Sequence, residues 1–367
     1  MTGFSFLQHR DPDRLGLPPG SWPPEDCTAW QQAVQAGDLL ADGGPAAHWS
    51  MASRRKVISG YGCYLGWLAR QGRLDPNQPV TTRLTQELVS AYLRERRDQV
   101  APATLHAAIA DLRNFARVAY PDHDWAWMAR LEAAVRQRRG AARDKRPRLR
   151  PSADLLALGE ELMRRSSATG LTARKDLLAY RDGLMLAFLA ARPLRLRSFA
   201  ALTLGESLQW QGGSWWILLG PEATKNRRPL ELPLPEVLAA PLAHYLAQVR
   251  PGLLGTAAAA ADPTSGALWV SLRRTRMSPA SIYAQITLHT GKAFGTPVNP
   301  HLFRDCAATS LALASPRAVR AGAGVLGHAR YDTTQRHYNL ACALDVAGRH
   351  HAVLQTLRGS AKRRPHG

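Results

Sequence analysis

Acidic residues are scarce in this chain. Asp and Glu together number 28 against 48 Lys and Arg in 367 residues, a formal net charge of +20. Such an imbalance says little about fold and much about partners, because a polyanion releases counterions when cations neutralise its phosphates. Nucleic acid is the leading partner it points to, with ribosomes or an anionic lipid surface as the bland alternative. Cysteine is scarcer still. Cys27, Cys63, Cys306 and Cys342 stand far apart with no Cys-x-x-Cys pair, which argues against a zinc site and against a disulfide framework. No run of about 18 apolar residues occurs, so no membrane span is expected. The opening MTGFSFLQHRDPDR has no apolar stretch of the kind a secretory leader needs. No carboxylate cluster suited to a pair of magnesium ions is visible, which counts against a metal-dependent nuclease. Lysine is sparse beside arginine and alanine, a bias typical of GC-rich bacterial genomes. The chain reads as soluble, cytoplasmic and thiol-reduced, without a membrane partner.

What is present divides the chain. The length suggests two domains. Residues 1–44 are rich in Pro and Gly and read as an irregular arm with one short helix near Thr28 to Gln35. Residues 45–139 read as a helical domain with four amphipathic helices. The first carries Val57, Ile58, Tyr61, Leu65 and Leu68 on one face and stops at Gly72. The second is capped by Thr85, the third starts near Pro102 and buries Leu105, Ile109, Leu112 and Phe115, and the fourth runs from about Asp124 to Arg139. Arg54, Arg55, Lys56, Arg113 and Arg117 lie on exposed faces and suggest a DNA-facing surface; a solvated helix surface is the alternative. Residues 140–151 form a basic linker. Arg143, Lys145, Arg146 and Arg148 are dense enough to repel one another, so an extended segment along phosphates is expected. Residues 152–358 read as a second, α+β domain. In it SLQWQGGSWWILLG gives two strands about Gly212-Gly213, RPLELPL a third strand, and ATKNRR the turn before it, with Arg227 and Arg228 as phosphate contacts. Residues 359–367 are a basic tail.

The second domain also carries a set of residues suited to one chemistry. Arg195, Lys225, His301, Arg304, His328 and Tyr338 provide three kinds of cation and one phenol. A phenolate can attack a phosphodiester while fixed positive charge holds the phosphate as it becomes a crowded dianion. A phenol ordinarily titrates near pH 10, so the neighbouring cations are needed to activate it, and they do so without a metal. Guanidinium grips two phosphate oxygens at once, which ammonium cannot. Arg192 and Arg197 compete with Arg195 for the first position, and Tyr331 is the nearby rival of Tyr338.

The segments PLRLRSFAALTL, HLFRDCAATSLA, LGHARYDTT and RHYN resemble the tyrosine recombinase (phage integrase) family. That family's pattern is Arg, then a Lys on a β-turn, then His-x-x-Arg, then Leu-Gly-His, then a nucleophilic Tyr after a Thr pair. Two departures stand out. The family usually has an acid three residues after its first arginine, where this chain has Ser198, and its commoner spacing to the nucleophile falls on His337 rather than Tyr338.

The resemblance implies a mainly α fold with a small three-stranded antiparallel sheet, arranged as a two-domain clamp. The clamp pairs an N-terminal helical core-binding domain with a C-terminal α+β catalytic domain. It implies a site-specific recombinase that cuts and rejoins double-stranded DNA through a 3′-phosphotyrosine, with no cofactor and no ATP. It also implies a homo-tetramer on DNA, a place for accessory DNA-binding proteins, and a bacterial nucleoid setting. Lys225 resembles the family's general acid for the departing 5′ oxygen. Two alternatives share these residues: a type IB topoisomerase-like relaxation enzyme, and a non-catalytic DNA-binding descendant. The amphipathic stretch Leu340 to Leu357 is suited to docking in trans or in cis.

Overall fold

The computed structural model describes residues 16–38, 42–138, 144–171, 173–224, 228–255 and 266–314. Lys225, Arg227, His328, Tyr338 and Arg143, together with the stretch Leu340 to Leu357 and the basic tail, lie outside the described residues. The chain divides into two compact units between Asp144 and Lys145. No described helix is long and apolar enough to cross a membrane.

Among its described residues the first unit is helical: α1 Pro24–Val34, α2 Met51–Arg70, α3 Val80–Arg83, α4 Gln86–Arg97, α5 Pro102–Ala119 and α6 Ala126–Gln137. Local signals set several starts. The Ser50 hydroxyl accepts from the Ser53 amide, Thr85 accepts from the Leu88 amide, and Pro102 opens α5, where a missing N–H costs nothing. Tyr61, Tyr64, Leu65 and Leu68 of α2 pack with Ile109, Leu112 and Phe115 of α5 in one core.

The N-terminal segment differs from an irregular arm. Residues 16–38 are built into this core, with Trp22 and Trp30 buried. Each tryptophan removes about 150–250 Å² from water, enough to order a short segment. Asp26 of α1 is wholly buried and is held by three partners. Arg83 Nη2 lies 2.8 Å from Asp26 Oδ1, Tyr61 Oη donates to Oδ2 at 2.7 Å, and Tyr120 Oη donates to Oδ1 at 2.5 Å. Burial and the adjacent Asp26 charge push the Tyr61 hydroxyl well above its ordinary pKa. The Pro and Gly residues that suggested disorder open this helix and shape the turns around it.

The second unit carries α7 Ser152–Ala168, α8 Arg174–Ala191, α9 Leu196–Ala200, β1 Leu208–Gln211, β2 Ser214–Leu219, β3 Leu230–Pro233, α10 Ala239–His244, α11 Arg250–Leu254, α12 Pro279–Phe294 and α13 Pro300–Ala314. A π-helical turn, Tyr245–Val249, joins α10 to α11. Helix α8 is buried from Tyr180 to Ala190: its apolar run from Gly183 to Ala190 requires this, and the buried Arg181 and Asp182 pair with each other at 2.6 Å. It meets α7 at a glycine crossing: a Cβ on Gly159 would lie 2.5 Å from the Gly183 carbonyl oxygen. The strands form an antiparallel sheet in the order β1-β2-β3, with Leu208 opposite Ile217 and Ile217 opposite Leu232. Gly212 and Gly213, at φ 55° and 80°, make the two-residue turn that a tight hairpin demands. Phe188, Phe199, Tyr245 and Trp269 form the aromatic centre of the core.

The C-terminal part of the basic linker is not an extended strand. Residues Lys145 to Arg150 belong to the second unit, with a 3-10 turn at Arg146–Arg148. Lys145 Nζ pairs with Asp305 Oδ2 at 3.0 Å, and Arg148 Nη2 donates to the Pro297 carbonyl at 2.9 Å. The Arg150 guanidinium lies over the Phe294 ring at 5.6 Å. Like-charge repulsion is offset because Lys145, Arg148 and Arg150 find a carboxylate, a carbonyl and a ring of the folded unit.

Candidate active site

The segment between α8 and α9 positions Arg195. Helix α8 ends at Ala191, and Pro193-Leu194 lead to Arg195, which is the extended N-cap residue of α9. A five-residue helix cannot satisfy its own terminal groups. Its C-terminal carbonyls are taken by side chains from elsewhere. Trp269 Nε1 donates to the Phe199 carbonyl at 3.0 Å, and Arg276 Nη1 reaches those of Ala200 and Leu202 at 3.4 and 3.2 Å. Phe199 and Ala200 are buried beneath. The helix that follows Arg195 is therefore anchored to the core.

The three arginines of this stretch have different surroundings. Arg192 donates from Nε to the Pro233 carbonyl at the end of β3, and burial lowers its pKa. Arg197 is exposed, and Arg195 is half-buried. Arg195 is also the one whose charge acts on Arg304.

Arg304 comes from α13. Asn299 caps that helix, its Oδ1 accepting from the amides of His301 at 3.0 Å and Leu302 at 3.1 Å, and Pro300 opens it. His301 lies exposed in the first turn, and Arg304 lies one turn further in, with only 8% of its surface accessible. Arg304 Nη1 donates to the Pro193 carbonyl at 2.6 Å. Its pKa is pushed down to about 10, first by burial and then by the like charge of Arg195, with Asp305 opposing. The guanidinium stays charged at neutral pH but at an energetic cost, which an anion with two or three oxygens would relieve.

A further bond ties α9 to the hairpin. Ser198 is buried, and its Oγ donates to the Ala223 carbonyl at 2.7 Å. Thr224 Oγ1 then donates to the Arg228 carbonyl at 2.7 Å. The structure thus brings Arg195 and Arg304 within electrostatic reach of each other and carries His301 on the helix of Arg304.

The expected DNA-facing cations divide into two groups. Arg54 Nη2 donates to the Ala47 carbonyl, Lys56 pairs with the buried Asp111 at 3.1 Å, and Arg113 pairs with Glu132 at 2.9 Å. Lys145 and Arg148 are engaged within the second unit. Arg55, Arg117 and Arg228 are exposed. Arg117 borders a cavity of about 220 Å³ with Arg113, His123 and Trp125 in the first unit. Sequence reasoning missed Trp269, Arg276 and Asn299 as anchors of the site. Asn299 before Pro300 is a recognisable cap signal, whereas Trp269 and Arg276 act across long sequence separations that no local pattern reveals.

No family model matches the chain. It is 28% identical over 172 residues to the tyrosine recombinase XerC of Pseudomonas savastanoi pv. phaseolicola (strain 1448A / Race 6), a match covering 45% of this chain and 50% of that protein. The chain therefore spans about half the length of the curated relative it matches. Among solved structures, the XerH site-specific recombinase bound to its difH substrate, in a pre-cleavage complex, matches with a TM-score of 0.52 and 14% identity. That match covers 80% of this chain and 78% of that one. A lambda integrase dimer bound to a COC′ core site matches with a TM-score of 0.52 and 14% identity, covering 80% of this chain and 90% of the other. At these identities the structural likeness is one of fold: mostly helical with a small antiparallel sheet.

Proposed function

We propose that this chain, which has the fold of the tyrosine recombinases and resembles that family in sequence, is a site-specific recombinase that breaks and rejoins double-stranded DNA without a cofactor. The observation that carries the reading is the pair Arg195 and Arg304, drawn from distant parts of the sequence: Arg304 donates to the Pro193 carbonyl at 2.6 Å, two residues before Arg195. Two guanidiniums kept positive against burial and mutual repulsion suit a scissile phosphate that gains charge in the transition state. In this reading Tyr338 Oη attacks phosphorus, a tyrosyl–phosphate bond forms, and the bond from phosphorus to the 5′ oxygen breaks. His301 helps take the tyrosine proton, Lys225 supplies a proton to the departing oxygen, and His328 donates to a non-bridging oxygen. A 5′ hydroxyl of a partner duplex then reverses the step. Bond energy is conserved in the phosphotyrosine, so ATP is not required. Exchange between two duplexes requires four such centres, hence a homo-tetramer on DNA. Accessory DNA-binding proteins would set the direction of exchange, and the site of action is the bacterial nucleoid.

Mapping the protein on genomic DNA identifies its site, and a nicked duplex carrying that site then tests the chemistry. A protein–DNA adduct resistant to denaturant is expected. Specific binding with no adduct on any nick position would overturn the reading in favour of a non-catalytic DNA-binding protein. Supercoil relaxation without junction formation would move it to a topoisomerase.

A further inference from the structure

We infer that Lys145 is a positioning residue of the candidate active site: it holds the Asp305 carboxylate, so that this acid does not compete with phosphate for the guanidiniums of Arg195 and Arg304. This inference rests on the recombinase reading and deepens its account of how phosphate is held. Three Arg-Asp neighbours lie among the described residues. In the first, Arg97 Nε lies 3.2 Å from Asp98 Oδ1. In the second, on α8, Arg181 donates to Asp182 Oδ1 from Nε at 2.9 Å and from Nη2 at 2.6 Å. In both, the acid takes the guanidinium that precedes it. The third, on α13, is arranged differently. Asp305 Oδ2 pairs with Lys145 Nζ at 3.0 Å, and Arg304 Nη1 donates to the Pro193 carbonyl at 2.6 Å.

The pair is built into the fold. The segment that follows Lys145 is fastened to α13 and to the loop before it. The Arg150 amide donates to Cys306 Sγ at 3.3 Å, the Ser152 amide to Ser310 Oγ at 3.0 Å, and Arg148 holds the Pro297 carbonyl. The backbone thus delivers Lys145 to Asp305. The two residues differ in exposure: the Asp305 side chain is 16% accessible and that of Lys145 61%. A carboxylate so far from water needs a partner. Its negative charge already acts on Arg304. A guanidinium receives carboxylate and phosphate in the same two-pronged geometry. Without Lys145, the compensation at hand for Asp305 is the Arg304 guanidinium, as Arg181 is for Asp182. A carboxylate seated there would occupy the donors and cancel the charge that phosphate requires.

The test compares Lys145→Met, Asp305→Asn, the double variant and Lys145→Arg. Single-turnover cleavage of a nicked duplex at saturating DNA is one readout, and the rise in melting temperature with added sulfate is the other. Arg304→Met serves as the reference for a lost guanidinium. Lys145→Met, altering an exposed side chain, is expected to slow cleavage by roughly 10-fold and to shrink the sulfate effect toward that of Arg304→Met. Adding Asp305→Asn to it removes the competing charge and is expected to restore the rate to within about 3-fold and the sulfate effect with it. Asp305→Asn alone and Lys145→Arg are expected to retain both. A double variant as slow as Lys145→Met would mean that Lys145 itself contacts DNA, and would overturn the inference while leaving the recombinase reading intact. No slowing by Lys145→Met would overturn it as well. So would equal slowing by Lys145→Met and Asp305→Asn, the mark of a pair that only braces the fold. Absence of any adduct from the unaltered protein would overturn the recombinase reading itself, and the sulfate measurement would still decide whether Lys145 guards the arginine pair.

Discussion

Replacing Arg304 by Met separates what the residue does for folding from what it does for phosphate. A pKa pushed down from its ordinary value to about 10 means the fold disfavours the charged form by about 3 kcal/mol. Against this stands the charge-assisted hydrogen bond to the Pro193 carbonyl, which contributes about 1.5–3 kcal/mol. The two nearly cancel, and methionine fills much of the same volume. Arg304→Met is therefore expected to change stability by no more than about 1 kcal/mol, where removing a large buried side chain usually costs about 2–5 kcal/mol. The sign with pH follows from the depressed pKa. The penalty is present in full below about pH 10 and is relieved only as pH rises from there toward the ordinary arginine range, so at neutral pH it is constant. Urea unfolding at pH 7 measures the stability, and single-turnover cleavage of a nicked duplex measures the function. Cleavage should fall by about 10²–10³-fold, the usual effect of losing one oxyanion donor. Sulfate should stabilise the unaltered protein more than the variant, because only the former retains the second guanidinium. A loss of more than about 3 kcal/mol, or retained cleavage, would refute the reasoning.

Arg195→Ala should reduce cleavage about 10²–10³-fold with little loss of DNA binding, whereas Arg197→Ala, altering an exposed residue, should leave the rate within a few-fold; equal effects would move the first phosphate contact. Asp26→Ala leaves Arg83 buried without its closest carboxylate and should destabilise the first unit by about 3–5 kcal/mol in urea unfolding, with a change below 1 kcal/mol contradicting the packed N-terminal segment. Replacing Arg143, Lys145, Arg146 and Arg148 together by Ala should flatten the slope of log K against log[salt] by about 1–2 units rather than 4, because Lys145 and Arg148 already hold Asp305 and the Pro297 carbonyl; a change near 4 would mean that both let go on binding DNA.

The helical framework of the first unit was legible because its apolar residues recur at helical spacing and Thr85 and Pro102 mark starts. The hairpin at Gly212-Gly213 was legible because a Gly pair readily supplies the positive φ that both positions of a two-residue turn need. The N-terminal segment was not. Its Pro and Gly content masked two tryptophans and an aspartate whose partners, Arg83 and Tyr120, lie far along the chain. The linker misled for a related reason: charge density predicts repulsion, but acceptors such as the Pro297 carbonyl enter only through tertiary structure. At the site, motif spacing identified Arg195 and Arg304 as candidates. It could not reveal that the Pro193 carbonyl and the Ser198 hydroxyl tie them to their neighbours, since both bonds depend on which loops meet. Ser198 stood out in sequence only as a missing acid, and its bond to Ala223 supplies the physical content of that departure.

The central claim is that the positive charge gathered around Arg195 and Arg304 serves a covalent step at Tyr338. Trapping the adduct on a nicked duplex, digesting protein and DNA, and sequencing the nucleotide-bearing peptide by mass spectrometry tests it most directly. The expected result is a 3′-phosphonucleotide on Tyr338 and its disappearance in Tyr338→Phe with DNA binding retained. An adduct mapped to Tyr331 or to any other residue, or one that persists in Tyr338→Phe, would contradict the account.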